Sequence, residues 1–238
     1  MPILTVQQRL WAQGMLHDVM DDIEHALPVM HTPATLADWR RRREELHEQL
    51  LDSLGVDLAD NTPCHVTSLG RTPRDGYAVE RLVLTLDRDN PIPVNLYIPD
   101  SASGPSPAVL CPHGHSPAGK AHAVYQTFYI TLARLGYMVL AYDMIGFGER
   151  AAMGHADVYG PFLAGGSLLG MQIREAMRLL DHLADHPLVD PGRLGCTGNS
   201  GGGTMALFLA ALDCRIAVAA PAGYNGPYRY TAAKERDI

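Results

Sequence analysis

A chain of 238 residues, 47% hydrophobic and 19% charged, is long enough for one large domain or for a core with a small extension. Its formal net charge of −7 argues against a nucleic-acid binder, which would carry a basic stripe. No apolar run is long enough to span a bilayer, so no membrane partner is expected. The first residues lack the basic head and apolar stretch of a signal peptide, and a cytoplasmic location is expected. The four cysteines, Cys64, Cys111, Cys196 and Cys214, form no CxxC pair. They read as free thiols in a reducing compartment rather than as a disulfide framework.

In chain order, apolar residues at Val6, Leu10, Leu16, Val19, Ile23 and Leu27 predict a helix over 5–27. A second helix is predicted from about Pro33 to Leu54, capped by Thr32. Its Arg40–Arg43 run, answered by Glu44, Glu45 and Glu48, reads as a solvated face with ion pairs one turn apart. Residues 1–60 are thus expected to be a helical extension and 61–238 a partial α/β domain. From Cys64 the pattern becomes β-like. Alternating runs at 65–69, 77–86 and 92–99 predict antiparallel strands. Strands at 107–112, 137–143, 193–198 and 215–221 then alternate with helices at 121–135, 167–186 and 201–212. This order implies an α/β fold, a mostly parallel sheet with helices on both faces.

The most specific motif is Gly198-Asn199-Ser200-Gly201-Gly202, a G-x-S-x-G. A shuffled chain of this composition would contain it about 0.07 times. It follows an apolar strand and precedes an apolar helix, as a nucleophile on a sharp strand-to-helix bend requires. The amide of Gly201, at the helix start, is a candidate oxyanion donor. His113-Gly114-His115 follows the strand at 107–112, where the second donor belongs, and the amide of Gly114 or His115 would supply it. A pair of solvent-facing histidines and an HxH metal pair are the other readings, but no third ligand accompanies them, so no metal is expected. Asp143-Met144-Ile145-Gly146-Phe147-Gly148-Glu149-Arg150 suits a tight loop on the same edge, with no chemical step assigned to it.

These pieces, with 189–224 and an N-terminal segment at 38–55, resemble the acetyl xylan esterase-like branch of the α/β-hydrolases over most of residues 33–224. The resemblance implies an α/β-hydrolase fold, a Ser-His-Asp triad and hydrolysis of carboxylic esters on small molecules or carbohydrates, acetyl groups on sugars among them. It needs no cofactor. Carried over, Ser200 is the nucleophile, Gly201 an oxyanion donor and the His113–His115 loop the other. The sequence departs from that pattern after Ser200. In this fold the triad acid and histidine follow the serine, but no histidine does, and the later acids are Asp213, Glu235 and Asp237. The C-terminal strands of the fold are expected to be missing, as in a truncated chain. The strand at 215–221 would then be a bare apolar edge.

Two other functions fit parts of the sequence. Gly114–Lys120 matches G-x-x-x-x-G-K, a phosphate-binding loop, but Ala121 replaces the hydroxyl that would ligate magnesium and Pro117 removes an amide. A degenerate hydrolase acting as a binding module fits the lost C-terminus. The order of subunits, the acyl and alcohol groups, and esterase against peptidase chemistry are not encoded in these motifs.

Overall fold

The computed structural model describes residues 33–57, 64–86, 90–155 and 159–223. The helix predicted at 5–27 and the Thr32 cap lie outside them. Residues 45–224 form one compact unit.

Helix α1 spans Leu36–Leu54 and begins three residues later than the sequence suggests. The reason is its cap. Thr35 Oγ1 accepts the Asp38 amide at 3.1 Å and donates to the Asp38 carboxylate at 2.7 Å, so Thr35 closes the first turn and Pro33 stays outside it. One ion pair on the basic run joins Arg41 to Asp38 at 2.9 Å. Strands β1 (His65–Arg74), β2 (Tyr77–Thr85) and β3 (Pro91–Pro99) form the predicted antiparallel meander. Next come β4 (Ser106–Pro112), helix α2 (Ala123–Arg134), β5 (Met138–Tyr142), the short helix α3 (Tyr159–Leu163) and α4 (Leu168–Ala184). Strand β6 (Val189–Asn199), α5 (Gly201–Leu212) and β7 (Ile216–Ala222) complete the described elements.

The sheet order is β1-β2-β3-β5-β4-β6-β7. Pairs β1–β2, β2–β3 and β3–β5 are antiparallel, while β5–β4, β4–β6 and β6–β7 are parallel. Strands β2 and β4 to β7 therefore run in one direction, against β1 and β3. The sheet is mostly parallel, as read from the sequence. Strand alternation divides its two faces. Met138, Leu140 and Tyr142 of β5 join a core with α4, α5 and the end of α1, whereas Val139 and Ala141 meet Tyr129 and Ala133 of α2. Helices thus cover both faces.

Helix α4 shows why its register is fixed. Ile173, Ala176, Leu179, Leu180 and Leu183 are fully buried along one stripe. Its cap, Ser167, accepts the Gly170 amide at 2.9 Å and donates to the Leu54 carbonyl at 3.1 Å, tying the end of α1 to the start of α4. Strands β4, β5 and β6 end side by side at Pro112, Tyr142 and Asn199, and the loops that follow them converge on one edge of the sheet. In parallel sheets this carboxyl edge is where ligands bind. No described helix is long and apolar enough to cross a membrane.

Leu140 lies at the centre of the larger core with no solvent exposure. Leu140→Ala is expected to destabilise the fold by about 2–5 kcal/mol, read as a lower urea midpoint with unchanged slope.

Candidate active site

The bend at Ser200 is built by close backbone packing. A side chain on Gly198 would place its Cβ 2.5 Å from the Pro112 carbonyl oxygen, and one on Gly202 would overlap the same atom. Only glycine lets β6 and the first turn of α5 approach the end of β4 so closely. Between them Ser200 takes φ 54°, ψ −118°. It is the only residue other than glycine with positive φ among the described residues. A backbone in such a sparsely populated region stores about 1–3 kcal/mol, and neighbouring contacts must over-determine it. Here the Ser200 amide donates to the Ala222 carbonyl of β7 at 2.9 Å, and the Ser200 carbonyl accepts the Thr204 amide at 2.9 Å. Ser200 occupies the N-cap position of α5, yet its side chain makes no capping bond. Ser200 as a whole is half-buried. Among the described residues no side chain accepts a hydrogen bond from it.

The His113–His115 loop lies against this bend. A Cβ on Gly114 would stand 2.5 Å from the Asn199 carbonyl oxygen and 3.2 Å from Ser200 Cβ. The backbone of Gly114 therefore passes beside Ser200, the position at which the sequence leads one to expect the second oxyanion donor. The imidazole of His115 covers Gly201, since a Cβ there would be 2.8 Å from His115 Cε1. Gly201, Gly114, His115 and Ser200 are thus gathered at one point.

The two histidines differ. His113 is completely buried, not solvent-facing. The Met144 amide donates to its Nε2 at 3.1 Å, so that nitrogen carries no proton, and Nδ1–H donates to the Gly114 carbonyl at 2.7 Å. Burial lowers its pKa, consistent with a neutral ring that fastens the loop after β4 to the loop after β5. His115 makes its bond to His155, Nε2 to Nε2, at 3.0 Å. His155 Nδ1 donates to the Ile145 carbonyl at 3.3 Å, which leaves its Nε2 to accept from His115 and His115 Nδ1 without a proton. Neither ring joins a metal cluster: no group of three His, Cys, Asp or Glu side chains is so placed among the described residues.

Asp143 is the residue whose part the sequence did not disclose. Its buried carboxylate accepts the Lys120 amide at 2.8 Å, Lys120 Nζ at 2.6 Å and the Glu149 amide at 3.1 Å. Gly119 and Gly148 pack so tightly around it that neither could carry a side chain. Lys120 also pairs with Glu149. The lysine of the apparent phosphate loop is therefore spent on a carboxylate and is almost wholly buried. This removes the nucleotide-binding reading. Beneath it, Arg150 makes a two-pronged pair with Glu175 of α4 at 2.8 and 2.7 Å and donates to the Asp143 carbonyl at 3.0 Å. An acid on the buried stripe of α4 was the available signal, because a carboxylate there requires a partner.

A cavity of about 600 Å³ opens beside the bend. Gly201, Thr204 and His115 border it on the side of the bend, and Met144, Leu168 and Phe162 also line it.

Asp143→Ala would strand the buried Lys120 ammonium. The expected loss is about 3–5 kcal/mol, measured by urea unfolding. The pH dependence has a defined sign. Burial holds His113, His115, His182 and His186 below the ordinary value of 6.5. The unfolded chain takes up those protons first, so stability is complete above pH 6.5 and is lost as the pH falls through the lower folded values. The urea midpoint is expected to drop on moving from pH ~7.5 to ~5.5.

Comparison with known proteins bears on the family and the fold. A Bacillus subtilis (strain 168) protein named "Putative hydrolase YtaP" is 36% identical over 187 residues, 74% of this chain and 62% of that protein. The solved structure titled "Methylesterase BT1017" superposes with a TM-score of 0.69 at 27% identity, covering 79% of this chain and 42% of that one. A "putative acetyl xylan esterase" from Bacteroides fragilis NCTC 9343 gives 0.67 at 20% identity, covering 76% and 52%. The chain thus spans between about two-fifths and three-fifths of the length of these relatives. The model of the X-Pro dipeptidyl-peptidase (S15) family matches residues 90–233, from β3 past the nucleophile bend. The chain belongs to that family and has the α/β-hydrolase fold.

Proposed function

We propose that the site is the nucleophile half of a serine-dependent carboxylic ester hydrolase. The observation that carries this reading is the backbone of Ser200, held at φ 54° with no capping bond from its side chain and with the backbone of Gly114 packed against it. A serine that served only to cap α5 would have no need of that strain. Ser200 Oγ adds to the ester carbonyl carbon. The carbonyl oxygen becomes an oxyanion and accepts from the amides of Gly201 and of His115 or Gly114. The hydroxyl proton passes to a base, the bond to the alcohol breaks, and the alcohol leaves with a proton. Water then releases the acid from the acyl-serine.

Ester rather than peptide cleavage is supported by the methylesterase relative, the one solved structure above with identity over 25%. Small-molecule or carbohydrate esters are the proposed substrates, acetyl esters included, with no cofactor required. The base is the incomplete part. No histidine follows Ser200 in the sequence, and the described residues offer its hydroxyl no acceptor.

A fluorophosphonate probe is expected to label wild-type protein at Ser200, located by peptide mass spectrometry, and not Ser200→Ala. Labelling elsewhere, or none, would remove the reading. Steady turnover of p-nitrophenyl acetate by the 238-residue chain is expected to lie at least about 10⁴-fold below that of a complete triad.

A further inference from the structure

The hydrolase reading leaves the imidazoles of His115 and His155 without a task. In the sequence His115 stands beside His113, but His113 is buried with both ring nitrogens bonded, one to the Gly114 carbonyl and one to the Met144 amide. His115 turns instead to His155, 40 residues on. Their Nε2 atoms face one another at 3.0 Å, with the ring planes 73° apart. No third His, Cys, Asp or Glu joins them among the described residues.

Both rings are held from outside the pair. Phe147 packs against His115 with centroids 5.5 Å apart and against His155 at 4.5 Å. The other nitrogen of His155, Nδ1, donates to the Ile145 carbonyl at 3.3 Å. A metal-bound histidine ordinarily makes such a bond, because it fixes the tautomer and aims the second nitrogen at the ion. His115 is exposed and both residues line the open cavity beside the bend, so an ion reaches the pair from solvent.

We propose that His115 and His155 form a two-histidine site for a divalent cation of the zinc and copper class. Imidazole nitrogen suits these ions, whereas magnesium and calcium take oxygen. In tetrahedral zinc, with bonds of about 2.0–2.1 Å, two ligand nitrogens stand about 3.3–3.4 Å apart. The pair lies within a few tenths of an ångström of that span, and a tilt of the exposed His115 ring makes up the difference. The ion takes the place of the proton between the rings. His115 carries its proton on Nδ1 instead, so both rings stay neutral. Two protein ligands leave the other positions to water, which makes the site exchangeable rather than structural. Its consequence falls on the bend. The ring that tilts is the one that covers Gly201, 2.8 Å from where a side chain there would begin. Gly201 follows Ser200 and borders the same cavity. An ion with its waters therefore narrows the approach to Ser200; this coupling alone rests on the serine-hydrolase reading.

The test titrates zinc and copper separately into the 238-residue chain by calorimetry. Copper is expected to bind more tightly than zinc. His115→Ala and His155→Phe, the second of which keeps a ring against Phe147, should each weaken binding at least about 10-fold. His122→Ala, which removes an exposed histidine at the start of α2, should leave it unchanged. Electron paramagnetic resonance of the copper complex should show two ligand nitrogens in the wild type and one fewer in each variant of the pair. The site is overturned if binding survives either substitution, if His122→Ala weakens it equally, or if the nitrogen count does not change. Should a variant melt at a lower temperature, the wild-type spectrum decides: two nitrogens sustain the site, and one or none removes it. Zinc should also slow fluorophosphonate labelling of Ser200 in the wild type and not in His155→Phe. Equal labelling with and without bound zinc removes the coupling to the bend. Failure of the probe to label Ser200 under any condition removes the serine reading, and the metal site then stands or falls on calorimetry alone.

Discussion

Everything at the catalytic edge depends on how closely three backbones approach. The Pro112 carbonyl at the end of β4 sits against Gly198 and Gly202, on the two sides of the bend. The Ala222 carbonyl at the end of β7 takes the amide of Ser200. With both flanks pinned, residue 200 has no ordinary conformation left. A positive φ on a residue with a Cβ is unfavourable, and the sheet supplies the contacts that offset it. The same approach brings Gly114 past Ser200 Cβ, so the strain and the placing of the His113–His115 loop have a single origin.

Around this bend the protein uses buried charge as a clamp. Asp143 gathers Lys120, its own following loop and, through the main chain, Arg150. Arg150 and Glu175 then fasten that loop to α4, and Asn90 bonds to both partners. Ion pairs in the interior seldom add much to stability over well-packed apolar groups, but breaking one is costly. What such a cluster provides here is position, and it acts beside the Phe147 ring, which packs edge-on against His113 and His115 between the same two loops. His113 adds a neutral tie between the same two loops.

Much of this was legible in the sequence. The helix 201–212 was placed to the residue, since an apolar run begins directly after the glycines. The meander, the alternation of strand and helix and the convergence of Ser200 with the His113–His115 loop also followed from period and motif. Three features did not. The start of α1 was misjudged because Thr32 and Thr35 are equally plausible caps, and only the reciprocal bond with Asp38 decides between them. Lys120 imitated a phosphate ligand because its true partner, Asp143, lies 23 residues on and across two strand ends. His113 and His115 look alike in sequence, yet a carbonyl and an amide on either side make one structural and leave the other at the cavity. Periodicity reports which face of an element is buried; it carries no record of which charges meet across separate loops.

The short helix α3 has a different character from the clamp that precedes it. Its Phe162 and Leu163 are largely exposed, and the backbone bonds that follow it, from Ala164, Gly165 and Gly166, all return to residues within the same turn. None of these bonds reaches Ser200 or Asp143. Evolution can therefore rewrite residues 159–166, and with them the outer wall of the cavity, while the strained serine and its buried charges stay as they are. Taste for new substrates can drift in such a scaffold at little risk to the machinery.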